Sequence, residues 1–185
     1  MPSPVGHCLA GYIIYRVTTK SVEISRWQSV AVYLFAANAP DFDFIPGLLL
    51  GDLSRFHHGP SHSIGFSILF GMLASLVFSR RLHAFVTGSS LYLSHVLLDY
   101  LVQDPSLPQG VPLLWPLDDG YHMAPFAFLR SFDYLPNSSE PRLIMAALLT
   151  IHNLLTLTTE ILILSPLLIL VTLRRRRCEL SKLTS

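Results

Sequence analysis

The chain is poor in charge and nearly free of cysteine. Of its 185 residues, 14% are Asp, Glu, Lys or Arg, the net charge is +1 and two are Cys. So even a balance excludes the strongly basic face that phosphate backbones require, and nucleic acid is not expected as a partner. Two cysteines exclude a disulfide framework. Cys8 lies near one end of the apolar segments and Cys178 directly follows an arginine run at the other, so a bond between them would have to cross a bilayer. No internal repeat or low-complexity tract is visible, which excludes a repeat array. Met1 to His7 lacks a positive region before an apolar core and lacks a small-residue cleavage signal, so this segment is expected to stay in the mature protein.

What the chain does have is apolar sequence. At 51% hydrophobic it amounts to one domain's worth of protein, more apolar than an ordinary soluble domain. Five stretches stand out, at roughly Val5 to Tyr15, Gln28 to Ala39, Ser61 to Ser79, His83 to Val102 and Leu143 to Leu173. A bilayer crossing needs about 20 residues, and about 17 can serve. The third, fourth and fifth stretches qualify; the first two are short enough to be re-entrant or buried among the others. Pro40 biases Ala39 out of helix, and Gly59-Pro60 suits a helix start with proline as its first residue. The fold expected is all-α: a multi-helix integral membrane bundle over residues 1–173, with a polar metal site near one membrane face. An irregular acidic loop at about 103–142 would form a small domain outside the bilayer, and residues 174–185 a basic cytoplasmic tail. As one helix, Leu143 to Leu173 would be about 46 Å long, so it is expected to tilt, to kink near Pro166 or to project from the membrane. Glu160, inside it, should face the bundle or be protonated.

Side chains that bind metals segregate from those that mark the cytoplasm. His7, Asp41, Asp43, His57, His62, His95 and Asp99 fall at one end of the expected helices. Arg16, Lys20, Arg26, Arg80, Arg81 and Arg174 to Arg177 fall at the other, with His83 as the exception. By the positive-inside rule the arginine end is cytoplasmic, so the ligand-rich end faces away from the cytoplasm in a multi-pass protein of the inner membrane.

Within that end, His95 and Asp99 stand four apart on one helix face, where both can reach the same ion. An imidazole nitrogen with a carboxylate oxygen suits zinc, and also manganese or iron. His57-His58-Gly59-Pro60-Ser61-His62-Ser63 surrounds a helix start. If Pro60 is the first helical residue, the helix dipole keeps His62 neutral and the free N–H groups offer a phosphate site. The competing reading is a surface loop of solvated histidines. Asp41 and Asp43 follow a helix end two residues apart, which fits one ligand and one orienting group, or else a simple Asx turn. His7 is isolated in sequence, and its weight comes from sharing the same end.

The ordered set His7, Pro40-Asp41-Phe42-Asp43, Gly51-Asp52, His57-x-Gly59-x-Ser61-His62-Ser63, Ser94-His95-x-x-x-Asp99 and Val111-Pro112-Leu113-Leu114-Trp115-Pro116-Leu117 resembles the LexA-binding, inner-membrane-associated hydrolases. These are a family of membrane-bound metal-dependent enzymes. The resemblance covers about residues 3–122. That family is distantly similar to zinc-dependent phospholipases C and the fungal single-strand nucleases. The resemblance implies His7, Asp41, His62, His95 and Asp99 as metal ligands, with His57 and Asp43 at further family positions. Three departures stand out: His58 where the family usually has Arg, Asp118 and Asp119 where it favours Ser, and Thr156 where the distant relatives carry a carboxylate four residues after a late His. The last of these implies one or two divalent ions, zinc first, rather than three.

Metal-assisted hydrolysis follows as the expected activity, on a phosphoester or lipid-like substrate at the membrane surface. Asp43 or Asp119 would accept the proton, with His57 or His58 assisting the leaving group; the sequence leaves these roles open. Two other classes compete. One is a haem-binding membrane protein using His95 and His152. The other is a transporter or interaction protein using Glu160, Asp99 and His152 as a polar relay.

Overall fold

A computed structural model describes residues 1–19, 26–50, 56–103, 108–126, 128–133, 146 and 148–183. The chain is mostly helical: α1 (Pro4–Thr18), α2 (Arg26–Asn38), a 3-10 turn (Ala39–Asp43), the short α3 (Phe44–Leu50), α4 (Ile64–Val77), α5 (Arg81–Tyr100) and α6 (Ile151–Leu183). Two strands of two residues, β1 (Val102–Gln103) and β2 (Leu129–Arg130), pair in parallel, and Val111 and His122 form an isolated antiparallel bridge.

Local chemistry sets several of these limits. Ser3 caps α1 by accepting from Gly6 N, with Pro4 as first helical residue. Ser63 caps α4 by accepting from Phe66 N. Here the structure corrects the expected helix start, because α4 begins at Ile64, so Pro60 and His62 lie in the turn before it. The first-turn N–H of Phe66 is bonded to the Ser63 cap, and His62 is held by carboxylates instead of the helix dipole.

α5 is the central helix. It packs against α4, α1 and α2, while α6 packs on α1. Leu98 of α5 forms one core with Ala10, Val102 and Leu129, and Tyr92 and Val96 form another with Val111. Close approach between helices depends on glycine at two points. A Cβ on Gly71 would fall 1.9 Å from Ser89 Oγ, and one on Gly11 would fall 2.4 Å from the Ala37 Cβ. The second contact draws α2 onto α1 and sets the depth of the Ala37 carbonyl.

Three stretches were expected to be long enough to cross a bilayer. Among the described residues, one helix is long and apolar enough to do so, over Ile151–Cys178. The apolar third stretch gives an α4 of 14 residues because Ser61 to Ser63 are spent on the turn and cap. α5 has 20 residues, but His83, His95 and Asp99 interrupt its apolar character. Helix α6 starts at Ile151, carries Pro166 within it and continues through Arg174 to Arg177, so the expected tail extends the helix up to Leu183. Glu160 is fully buried and faces α1, where it accepts from the backbone N and the hydroxyl of Ser3. Both Cys8 and Cys178 are free.

Candidate metal centre

Four separate segments deliver side chains to one buried point. α1 brings His7 one turn beyond its Ser3 cap. The 3-10 turn after α2 brings Asp41 and Asp43, the loop before α4 brings His57, His58 and His62, and the last two turns of α5 bring His95 and Asp99. His7, His62 and His95 are 1%, 0% and 0% exposed and Asp99 is 3% exposed, which removes the reading of a solvated histidine loop.

The separations have the dimensions of a coordination shell. His95 Nε2 lies 3.2 Å from Asp99 Oδ2 and 3.3 Å from Asp41 Oδ1. His62 Nε2 lies 3.4 Å from Asp99 Oδ2 and 3.6 Å from Asp41 Oδ1, and His7 Nε2 lies 3.6 Å from Asp99 Oδ1. Two ligands on one tetrahedral ion, each about 2.0–2.2 Å from it, stand about 3.3–3.6 Å apart. Hydrogen bonds to one another do not account for the atoms. Both nitrogens of His7, the Nε2 atoms of His58, His62 and His95, Asp41 Oδ1 and both Asp99 oxygens are buried without a hydrogen-bond partner. An uncompensated buried polar atom costs about 1–3 kcal/mol, and more when charged. Such atoms gathered from His7, Asp41, His58, His62, His95 and Asp99 fit a shared cation. Three triads could hold an ion, their ligand atoms within 4.8 Å of one another: His7, His95 and Asp99; Asp41, His57 and His62; and His58, His62 and Asp99.

The far edges of two imidazoles are already occupied. His95 Nδ1 donates to the Ala37 carbonyl at 2.8 Å. His62 Nδ1 faces Asp43 Oδ2 and Ser61 Oγ, each at 3.1 Å. Each contact engages Nδ1 and leaves Nε2 turned toward the cluster, where its lone pair could bind an ion. Asp43 also takes a 3.0 Å contact from His57 Nδ1 and a 2.8 Å hydrogen bond from the Ser61 hydroxyl. Burial alone would raise its pKa, but the bonds from His57 and His62 outweigh that and hold it below the ordinary carboxylate range. His57 stacks on Phe44 with ring centroids 3.8 Å apart and also abuts the Met1 sulfur. His7 and His95 stack at 3.6 Å.

His58 is buried with a φ of 57°, in the left-handed region that costs a non-glycine residue about 1–2 kcal/mol. Burial pushes its pKa down to about 3, so the ring is neutral near pH 7. The Val111 to Leu117 motif closes over the start of α4. Ile64 N donates to the Leu113 carbonyl at 3.0 Å, and Phe66 meets Trp115 at 5.6 Å.

Not every sequence candidate joins the cluster. Asp119 lies on an exposed loop, and among the described residues no contact ties it to the histidines. Its neighbour Asp118 pairs with His122 at 2.8 Å at the surface. His152 contacts the Ser131 carbonyl at 2.7 Å and Asp133 at 3.8 Å, and Glu160 is engaged with Ser3. Gly51 and Asp52 lie outside the described residues. Sequence reasoning missed the Ala37 carbonyl, the orienting use of Ser61, and Tyr92, whose hydroxyl donates to the Ser61 carbonyl at 2.8 Å. Backbone acceptors leave no mark in a sequence. Ser61 directly precedes His62, and that adjacency was the one available signal.

No curated protein and no solved structure matches the chain. A family model does, described as YdjM inner membrane protein and matching residues 1–177. With nearly its whole length matched, and with the ordered histidines and aspartates at one buried point, the chain belongs to the YdjM inner membrane protein family, the LexA-binding, inner-membrane-associated family its motifs resemble.

Proposed function

We propose that this chain is a membrane-bound, metal-dependent hydrolase in which His7, Asp41, His62, His95 and Asp99 hold one or two divalent ions of the zinc class. The observation that carries the reading is the pair of imidazoles with proton-bearing edges engaged and Nε2 atoms buried, unbonded and 3.2–3.6 Å from Asp41 and Asp99 oxygens. An ion bound there supplies a water acidified toward about pH 7 and polarises a phosphoryl or acyl oxygen.

The chain's own groups would then serve as follows. Asp43 orients His62 and, with His57, forms a pair able to hold and pass a proton. His58 is neutral and can present its Nε2 toward a leaving group or an ionic oxygen. Asp43 is favoured as proton acceptor over Asp119, which is remote in its exposed loop. Burial of the cluster excludes bulk water from most of the site and strengthens each charge interaction within it.

In the same reading α6 crosses the membrane, and α4 and α5 are embedded beside it. Exposed apolar side chains support this: Leu73, Leu76 and Val77 on α4, and Ile151, Leu154, Leu162 and Ile169 on α6. The arginine-bearing ends face the cytoplasm and the cluster faces away from it. A substrate with a phosphoester or lipid-like head suits that position.

The test is turnover of phosphomonoester, phosphodiester and phospholipid substrates by protein purified in detergent. Loss of hydrolysis on chelation and recovery on adding zinc is expected. No turnover of any of these substrates by zinc-loaded protein would reject the proposal.

A further inference from the structure

His58 stands outside the five ligands named above, at a position where the resembled family usually has Arg. An arginine carries no lone pair for a cation, so whatever an imidazole does there is this chain's own. The local backbone is built to aim it. Gly59 N donates to the Phe56 carbonyl at 3.2 Å and closes a turn, while the Tyr92 hydroxyl ties down the Ser61 carbonyl at 2.8 Å. Between these anchors His58 takes a φ of 57° and is 7% exposed. Glycine or asparagine would hold that conformation with less strain, and strain of this kind persists where the surroundings fix a side chain for use. Among the described residues nothing bonds its buried Nε2.

Counting donors decides what the ring is aimed at. His7, Asp41, His58, His62, His95 and Asp99 each carry a buried, unbonded nitrogen or oxygen, and a zinc-class ion in a tetrahedral site takes four. These side chains therefore exceed one ion. The cluster also divides. Ligand atoms of His7, His95 and Asp99 lie within 4.8 Å of one another, and so do those of His58, His62 and Asp99. The two triads have Asp99 alone in common, and both its oxygens are buried without a partner among the described residues. Oδ1 lies 3.6 Å from His7 Nε2; Oδ2 lies 3.2 Å from His95 Nε2 and 3.4 Å from His62 Nε2. A carboxylate in that position can serve two ions at once, as in centres whose metals stand about 3.5–4 Å apart. His57 is the poorer choice for a further ligand, because its Nδ1 is taken by Asp43 and its Nε2 abuts the Met1 sulfur.

We infer that this centre holds two zinc-class ions and that His58 ligates the second, together with His62 and Asp99. The first ion is left to His7, His95 and Asp99, with Asp41 Oδ1 facing one imidazole of each set, His95 at 3.3 Å and His62 at 3.6 Å. A His58 ring so engaged has no Nε2 left for a leaving group. The inference rests on the metal reading above and adds a ligand to it.

Full-length protein in detergent, dialysed to equilibrium against graded free zinc and assayed by elemental analysis, tests this. Wild type should saturate at two ions per chain. His58→Gly keeps the left-handed backbone and removes the ring; it should saturate at one ion with a wild-type circular dichroism spectrum. Added imidazole, which can occupy the space the ring leaves, should return the second ion to that variant. If His58→Gly does not fold, His58→Asn, whose side chain also accepts this backbone, decides by ion count alone. Saturation of wild type at one ion, or of a folded His58 variant at two, overturns the inference. So does a lost second ion that imidazole fails to restore to His58→Gly, since that loss would come from the backbone. The two proposals fail separately. Wild type with one ion and zinc-dependent turnover sinks the second ion alone, two ions with no turnover sink hydrolysis alone, and wild type with none sinks both.

Discussion

Replacing Asp43 by Asn removes one charge and one oxygen from a group that touches three partners. Asp43 Oδ1 lies 3.0 Å from His57 Nδ1, while Oδ2 accepts from Ser61 at 2.8 Å and faces His62 Nδ1 at 3.1 Å. An amide turned with its NH2 toward His62 sets donor against donor, which drives the imidazole proton to Nε2 and blocks the lone pair needed for the ion. Turned the other way, it keeps the contact but loses the negative charge that makes the ring more basic. Loss of a group orienting a metal-bound histidine costs about 10–100-fold in metal affinity, or about 1.4–2.7 kcal/mol. Competition with a chromophoric chelator on detergent-purified protein reads that change directly, with circular dichroism as the check on folding. The sign of the pH dependence is also fixed. Asp43 is depressed below its ordinary value of 3.8, so the stability its ionised form contributes is present above that value and is lost only as pH falls through the lower folded one. The Asp43→Asn penalty should therefore stay constant from about pH 6 to 8. A zinc Kd within about twofold of wild type, or a penalty that vanishes across that range, would refute the orienting role.

Glu160→Ala leaves the Ser3 N–H and hydroxyl without their buried acceptor and should cost about 1–3 kcal/mol in thermal stability, largely spared in Glu160→Gln, by differential scanning fluorimetry. Gly11→Val forces a Cβ into the Ala37 Cβ that lies 2.4 Å away, so overpacking of about 1–3 kcal/mol should accompany weaker metal binding as the Ala37 carbonyl leaves His95; unchanged affinity in a folded variant would count against the link. His58, lowered to about 3 by burial, favours the neutral ring in the fold, so chelated protein should lose stability as pH falls below about 6.5. His58→Asn, which tolerates the left-handed backbone, should flatten that slope in melts run at pH 7 and pH 5. Asp119→Ala should leave metal content and hydrolysis unchanged, and a large loss of either would restore it as a candidate base.

Much of the centre was legible because its chemistry is written in side chains. His95 and Asp99 follow from helical spacing, and the two neighbouring aspartates from their position after Pro40; their difference emerged when Asp41 was seen facing the Nε2 atoms of His62 and His95, and Asp43 the Nδ1 atoms of His57 and His62. The start of α4 was misread because Pro60 is as acceptable in a turn as at a helix N-terminus, and Ser63, a stronger cap, lies three residues on. Segment lengths were overread for the same reason: apolar composition continues through residues that the backbone uses for turns. The 3-10 geometry that aims Asp41, the carbonyl of Ala37 and the Tyr92 bond to Ser61 depend on contacts between distant segments, which no local pattern encodes.

The central claim is that imidazoles and carboxylates from four segments share a cation. Elemental analysis of detergent-purified wild type beside the His95→Ala, Asp99→Ala double variant tests it most directly. The account predicts one or two zinc-class ions per wild-type chain and a clear loss in the variant; equal metal content in the two proteins would contradict it.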